Sequence, residues 1–331
     1  MKQTPNTYLH VFAPVQGLVR DAVDLYWELL KTMVPVLVLV RVGVEFGLID
    51  VVAQGFEPLM ELVGLPAATG LVWAASILVN TYAGAAVLIA IFPTLDLSVA
   101  QLTVLLSILL IAHALPLEQA ISRKAGISFV FSTSLRFFGA LVYGAILNQV
   151  YLLADWLQQP AEIGWLEGGG QVDAPWGEWA MQSAVSLFWI FWIILVLIIT
   201  LKLMDVLKIT AFLQRLLTPV LRIMGISEKA ASLTMVGALL GLSFGGGLII
   251  KEARAGHLPA RDIVLSLSFM ALCHSLIEDT LFMIALGGDV SGLLVGRFIF
   301  AVVVTSILAR FVHAMDDARL HRLLFHAPKG N

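Results

Sequence analysis

Cysteine is almost absent from this 331-residue chain, where Cys273 stands alone. A single thiol excludes an internal disulfide and any cysteine-based metal cluster. Charge is scarce as well: 13% of residues are charged against 59% hydrophobic, and the mean hydropathy of +0.93 lies well outside the soluble range. No lysine or arginine occurs between Arg41 and Arg123, and Arg136 is the only one between Lys124 and Lys202. There is no GxxxxGK[ST] phosphate loop, which argues against ATP as an energy source. No nucleophile–base pair or cofactor motif points to an enzyme, and no nucleic-acid partner is expected. The segment Met1–Lys31 lacks the pattern of a cleavable signal peptide. Its Lys2, Arg20, Asp21, Asp24, Glu28 and Lys31, set among scattered apolar positions, make 1–24 an amphipathic lead-in at the membrane surface.

Long apolar stretches fill the space that charge leaves. Val34–Val44, Leu102–Ala114, Leu187–Leu201 and Phe298–Leu308 belong to segments long enough for helices of about 20 residues to cross a bilayer. Membrane lipid is therefore an obligatory neighbour. The second half also repeats the first at a constant offset of 161 residues: Pro58 pairs with Pro219, Gly64 with Gly225, Gly84 with Gly245, and Leu106-Ser107 with Leu267-Ser268. His113 pairs with His274, Gly126 with Gly287, and Arg136-Phe137 with Arg297-Phe298, while Arg41 answers Lys202 and Glu118 answers Asp279. In an apolar chain, such duplication is the mark of a transporter built from two repeats around a central site.

Basic residues cluster at Lys2–Arg41, Arg123-Lys124, Lys202–Arg261 and Arg310–Lys329, and the positive-inside rule puts all four clusters, with both termini, in the cytoplasm. The loop 159–181, with Glu162, Glu167, Asp173 and Glu178 beside Trp165, Trp176 and Trp179, then lies outside. One path satisfies these constraints. In the repeat 25–158, helices of about 25–52, 98–118 and 134–157 cross, and 66–92 is a re-entrant hairpin. In the repeat 182–313, helices of about 182–204, 261–280 and 296–313 cross, and 228–255 is the hairpin. The segments 53–65 and 205–226 lie on the surface as amphipathic helices, and 314–331 is a cytoplasmic tail. Three crossings per copy give the two copies opposite orientation. The expected fold is thus an all-α polytopic membrane protein of two inverted repeats. The rival path makes each hairpin a full crossing, giving eight crossings and parallel copies.

Two constellations could carry chemistry. The hairpins are interrupted at Asn80-Thr81-Tyr82-Ala83-Gly84 and at Gly241-Leu-Ser243-Phe-Gly245-Gly246-Gly247. Helix breaks at membrane depth expose N–H and C=O groups to a solute or ion, or else small residues there let helices pack closely. The second constellation is His113-Ala-Leu-Pro-Leu-Glu118-Gln119 with its partner His274-Ser-Leu-Ile-Glu278-Asp279. His274 and Glu278 are four apart and would share one helical face. A histidine beside an acid can relay protons or ligate a cation, with His274, Glu278 and Asp279 the metal candidates. The alternative is an inward pair that only fixes helix packing. Arg136 and Arg297 open matching helices and either pair with these acids, meet an anionic substrate, or snorkel to headgroups. Arg41 and Glu45 form a structural pair, and Cys273 is a small packing residue.

At Gly241–Gly247 and His274-Ser-Leu-Ile-Glu-Asp-Thr280 the chain resembles the nucleoside-recognition or Gate domain family of bacterial membrane proteins. That family includes spore-maturation membrane proteins, and similar modules occur in ferrous-iron and concentrative nucleoside transporters. The resemblance covers about 185–312 and extends through the repeat to 25–150. It implies broken helices around a substrate site in a bacterial cytoplasmic (inner) membrane, often as two opposed copies. The expectation is a secondary transporter of a small polar solute, nucleoside-like by the resemblance alone, coupled to H⁺ or Na⁺ and needing no cofactor. The alternatives are a divalent metal cation transporter and a non-transporting scaffold in a complex, and a homo-oligomer is compatible with any of them.

Overall fold

The computed structural model describes residues 15–166 and 174–326, without the side chains of 15, 16, 18, 49, 50, 240 and 242–246. Every regular element among them is a helix. The first half runs α1 Val15–Glu45, α2 Leu48–Leu62, α3 Thr69–Leu78, α4 Thr81–Ile91, α5 Val99–Ile111, α6 Leu115–Lys124 and α7 Phe129–Leu153. The second runs α8 Trp176–Val206, α9 Ile209–Ile223, α10 Glu228–Leu240, α11 Leu242–Arg254, α12 Ala260–Leu272 and α13 Glu278–Ala285. A π-helical turn, Ser291–Gly296, leads into α14 Arg297–Ala314, and α15 Asp317–Leu323 closes the chain.

The duplication extends from sequence to backbone. Helices α8, α9 and α12 begin and end 161 residues after α1, α2 and α5. The left-handed residues Gly47, Gly64, Ala114 and Gly126 recur on the same grid at Lys208, Gly225, Ser275 and Gly287. Packing is reciprocal: α7 lies against α12, and the turn before α14 lies against α5. Helix starts are set by side-chain caps, which satisfy otherwise orphaned N–H groups. Ser98 forms a capping box with Gln101, Ser128 caps α7 and Ser227 caps α10.

Among the described residues, four helical segments are long and apolar enough to cross a membrane: Val99–Lys124, Phe129–Leu153, Trp176–Val206 and Ser291–Ala314. The expected crossings near 25–52 and 261–280 are not among them. Charges at Arg20, Asp21, Asp24, Glu28, Lys31, Arg41 and Glu45 shorten the apolar part of α1, and α12 stops after 13 residues.

The expected helices 98–118 and 261–280 are in fact broken. The first stops at Ile111 and resumes at Leu115; the second stops at Leu272 and resumes at Glu278. Pro116 sits in the first turn of α6, where a missing N–H costs nothing, so it starts a helix instead of kinking one. One backbone N–H at each break finds a partner within the protein. The Ala114 N–H donates to the Ser76 carbonyl of α3 and the Leu276 N–H to the Ala238 carbonyl of α10, both at 2.8 Å. Each interrupted helix is thereby tied to the helix pair preceding it.

Candidate functional site at the junction of the two copies

Both histidines lie in these breaks. Once a helix ends, its last carbonyls lack partners, and each imidazole turns back to take one. His113 Nδ1 lies 3.0 Å from the Leu109 carbonyl and His274 Nδ1 lies 2.7 Å from the Met270 carbonyl, again 161 residues apart. A carbonyl only accepts, so each Nδ1 carries a hydrogen, and in a neutral imidazole the lone pair is then on Nε2. The two Nε2 atoms face one another at 3.2 Å across the junction of the copies. Glu118, from the first turn of α6, completes the group: its Oε1 is 3.3 Å from His113 Nε2 and 3.4 Å from His274 Nε2. Side-chain exposures of 7%, 2% and 12% for His113, His274 and Glu118 make this a buried centre with its one partial opening at the carboxylate. These three residues offer ligand atoms all within 4.8 Å of one another, a spacing that could hold a cation.

Arg136 of α7 anchors the acid. Its guanidinium is fully buried and binds Glu118 Oε2, the Ile111 carbonyl at 2.7 Å and the His113 carbonyl at 2.9 Å. The counterpart Arg297 is equally buried but differently served. It donates to Thr280 Oγ1 at 3.1 Å, and its Nε and Nη1 have no partner among the described residues. The cause is local: on the 161-residue grid α13 should begin at Leu276, but it begins at Glu278, so Asp279 does not take the place that Glu118 occupies beside Arg136. Gln119, fully buried next to Glu118, also leaves both amide atoms without partners.

Two sequence expectations change here. His274 and Glu278 do not share a helical face, because the chain between them is not helical; neither Glu278 nor Asp279 forms an ion pair with His274 among the described residues. The acid that reaches both histidines comes from the first copy. The hairpin residues make structural contacts of their own. Asn80 caps α4, its Oδ1 accepting from the Ala83 N–H at 2.9 Å, and Thr81 is buried in the first turn. Gly84 is a packing position, where a Cβ would meet Ser76 Cβ at 2.8 Å and the Val72 carbonyl at 3.1 Å. The run Gly245–Gly247 lies inside α11, and the interruption falls at Gly241 with φ of 100°. Gly247 is exposed with nothing near its missing Cβ. The side chain of Ser243 and the surroundings of Gly245 and Gly246 lie outside the described residues. Arg41 binds Glu45 at 3.3 Å and the Ala174 carbonyl at 2.8 Å, as a structural pair would.

The sequence holds the signal for the centre, two buried histidines on a common repeat with one acid nearby, but not for the contact between them. Only packing brings residues 161 apart together.

The chain is similar to a protein of Bacillus subtilis (strain 168) described as the uncharacterized membrane protein YvoD, at 26% identity over 302 residues, covering 86% of this chain and 90% of that one. No family model matches, and no solved structure matches. Shared length and apolar helices make this a membrane protein.

Proposed function

We propose that this membrane protein is a secondary carrier of a small polar solute, in which two inverted copies alternate access to a site at their junction. The observation that carries the reading is the meeting of His113 and His274 with Glu118 inside a helical bundle. Ionisable groups at membrane depth are costly, and here they sit where one copy meets the other, at breaks in two helices. Such a centre is a joint: rocking one copy against the other separates His274 from His113 and Glu118. Arg297 and Gln119 add unpartnered buried donors and acceptors, which a polar solute or water would satisfy. The Gate-like features named from the sequence, including re-entrant hairpins formed by α3–α4 and α10–α11, fit this scheme, as do a bacterial cytoplasmic membrane and cytoplasmic termini.

The test is a thermal-shift screen of purified protein against nucleosides, amino acids and organic acids, followed by uptake of any stabilising solute into proteoliposomes under an imposed cation gradient. Gradient-driven accumulation is expected, with Glu118→Gln, in the fraction that folds, losing the gradient dependence. Absence of solute stabilisation, together with a partner protein that co-purifies, would favour a scaffold instead.

A further inference from the structure

We propose that His113 Nε2, His274 Nε2 and Glu118 Oε1 form a three-ligand site for a zinc-class divalent ion, shared between the two copies. The ligand triangle has sides of 3.2, 3.3 and 3.4 Å. A tetrahedral ion with ligands at about 2.0–2.1 Å requires ligand–ligand edges of about 3.3–3.4 Å. Octahedral Mg²⁺ at about the same ligand distance would draw neighbours to about 2.9 Å, and both Mg²⁺ and Ca²⁺ favour oxygen over imidazole. The edges and the donor set therefore agree on a zinc-class ion.

The atoms around the triangle support the same assignment. A metal-bound imidazole usually donates its second N–H to a carbonyl or carboxylate, and a ligating carboxylate is itself hydrogen-bonded. All three conditions are met: His113 Nδ1 faces Leu109 O, His274 Nδ1 faces Met270 O, and the second oxygen of Glu118 is held by Arg136. With both Nδ1 positions hydrogenated, two nitrogen lone pairs and one carboxylate lone pair point into the same small space. That convergence is repulsive until a cation occupies it. Three protein ligands leave a fourth position for water or solute, the pattern of zinc sites that exchange ligands, not of closed structural ones. Two ligands come from the first copy and one from the second, so the ion closes the junction and any separation of the copies releases it.

The binding claim stands on the triad alone; only the use of the ion in transport rests on the carrier reading. Untagged full-length protein in detergent is dialysed against Zn²⁺ or Co²⁺, and metal per chain is measured. One ion per chain is expected, with the intense visible bands of four-coordinate Co²⁺. His113→Asn and His274→Asn should each abolish the bands and weaken binding at least 100-fold, while His257→Ala changes neither. Arg136→Lys, which disturbs only the positioning of Glu118, should cost about 10–100-fold in affinity. Should either asparagine variant fail to fold, the wild-type Co²⁺ spectrum still decides. Failure of the wild type to bind, six-coordinate bands, or binding that survives both histidine variants would overturn the site. Stoichiometric binding without any uptake would uphold the site and count against the carrier.

Discussion

A buried guanidinium has to find every partner inside the protein, and Arg136 shows what that requires. Two carbonyls freed by the α5 break and one carboxylate surround it. Removing it by Arg136→Ala leaves Glu118 buried without its counter-charge, and loss of one partner of a buried pair costs about 3–5 kcal/mol. Equilibrium unfolding in detergent should show a loss of that size, and the cost should shrink when Glu118→Gln is already present; equal costs in both backgrounds would mean that the pair does not interact. Gly84→Val belongs to the same scale. Its Cβ would lie 2.8 Å from that of Ser76, so the variant should lower stability by about 1–3 kcal/mol. A stable Gly84→Val protein would show that α3 and α4 are less tightly packed. The residue scale also shows where sequence reading stops. His113 and His274 stand out as ionisable groups in apolar surroundings, and both belong to the centre. The four-residue spacing of Glu278 from His274 puts the two on one face only along a continuous helix. Glu118 reaches His274 from the other copy, a contact for which a linear sequence carries no distance.

Interruptions define the elements here. The break between α10 and α11 rests on Gly241, whose φ of 100° and ψ of 159° lie in a region open almost only to glycine. Gly241→Ala should cost about 1–3 kcal/mol from the backbone alone, and a Cβ there would also meet Ser275 Oγ at 2.9 Å. Thermal unfolding checks it, and an unchanged midpoint would mean that the break tolerates an ordinary residue. Glycine weakens helices, and the expected interruption over Gly241–Gly247 also includes the run Gly245–Gly247. That run lies within α11 because the kink needs only one residue of special conformation. At the open end of this helix pair Lys229 binds Glu252 at 2.6 Å and His257 approaches the same oxygen at 3.1 Å. The Lys229 hydrogen bond, followed by that of His257, holds the Glu252 carboxyl below its ordinary range. A lowered value means that the stabilisation is complete above the ordinary glutamate value of about 4.3 and fades as pH falls through the lower folded value. Hydrogen exchange in 228–254 should be better protected in the wild type than in Glu252→Gln near neutral pH, and the difference should vanish once the pH falls below the lowered folded value. A difference that persists in acid would assign the protection to something other than this charge pair.

At the scale of the whole molecule, each copy is clasped by the segment that trails the other. The Glu162 carbonyl lies against Gly287, while Phe325 and the His326 carbonyl lie against Gly126, the equivalent glycine. Gly126→Ala should therefore loosen the C-terminal segment, since its Cβ would fall 2.5 Å from Phe325 at a φ of 106°. Faster limited proteolysis after Ala314 would register it, and unchanged cleavage would show that the clasp is not load-sharing. In the inverted arrangement proposed above, the two clasps would occupy opposite faces of the membrane. Cysteine introduced at Gly256, in a Cys273→Ser background, should then be labelled only from the cytoplasmic side; labelling from outside would remove the hairpin and the inversion together. The duplication, the helical class and the membrane setting were legible because each is written as a pattern along the chain. The broken helices near His113 and His274 were not, because apolar composition continues through them without a gap.

Two contacts join residues that are each other's counterparts: the Nε2 atoms of His113 and His274 lie 3.2 Å apart, and the Tyr26 hydroxyl donates to the Leu187 carbonyl. An object related to its twin by a half-turn can touch its own image only on the axis of rotation. Two identical copies with this face would meet histidine to histidine. Joined in one chain, the two copies need not be identical, and the centre is asymmetric: Glu118 pairs with Arg136, while Arg297 Nε and Nη1 have no partner among the described residues.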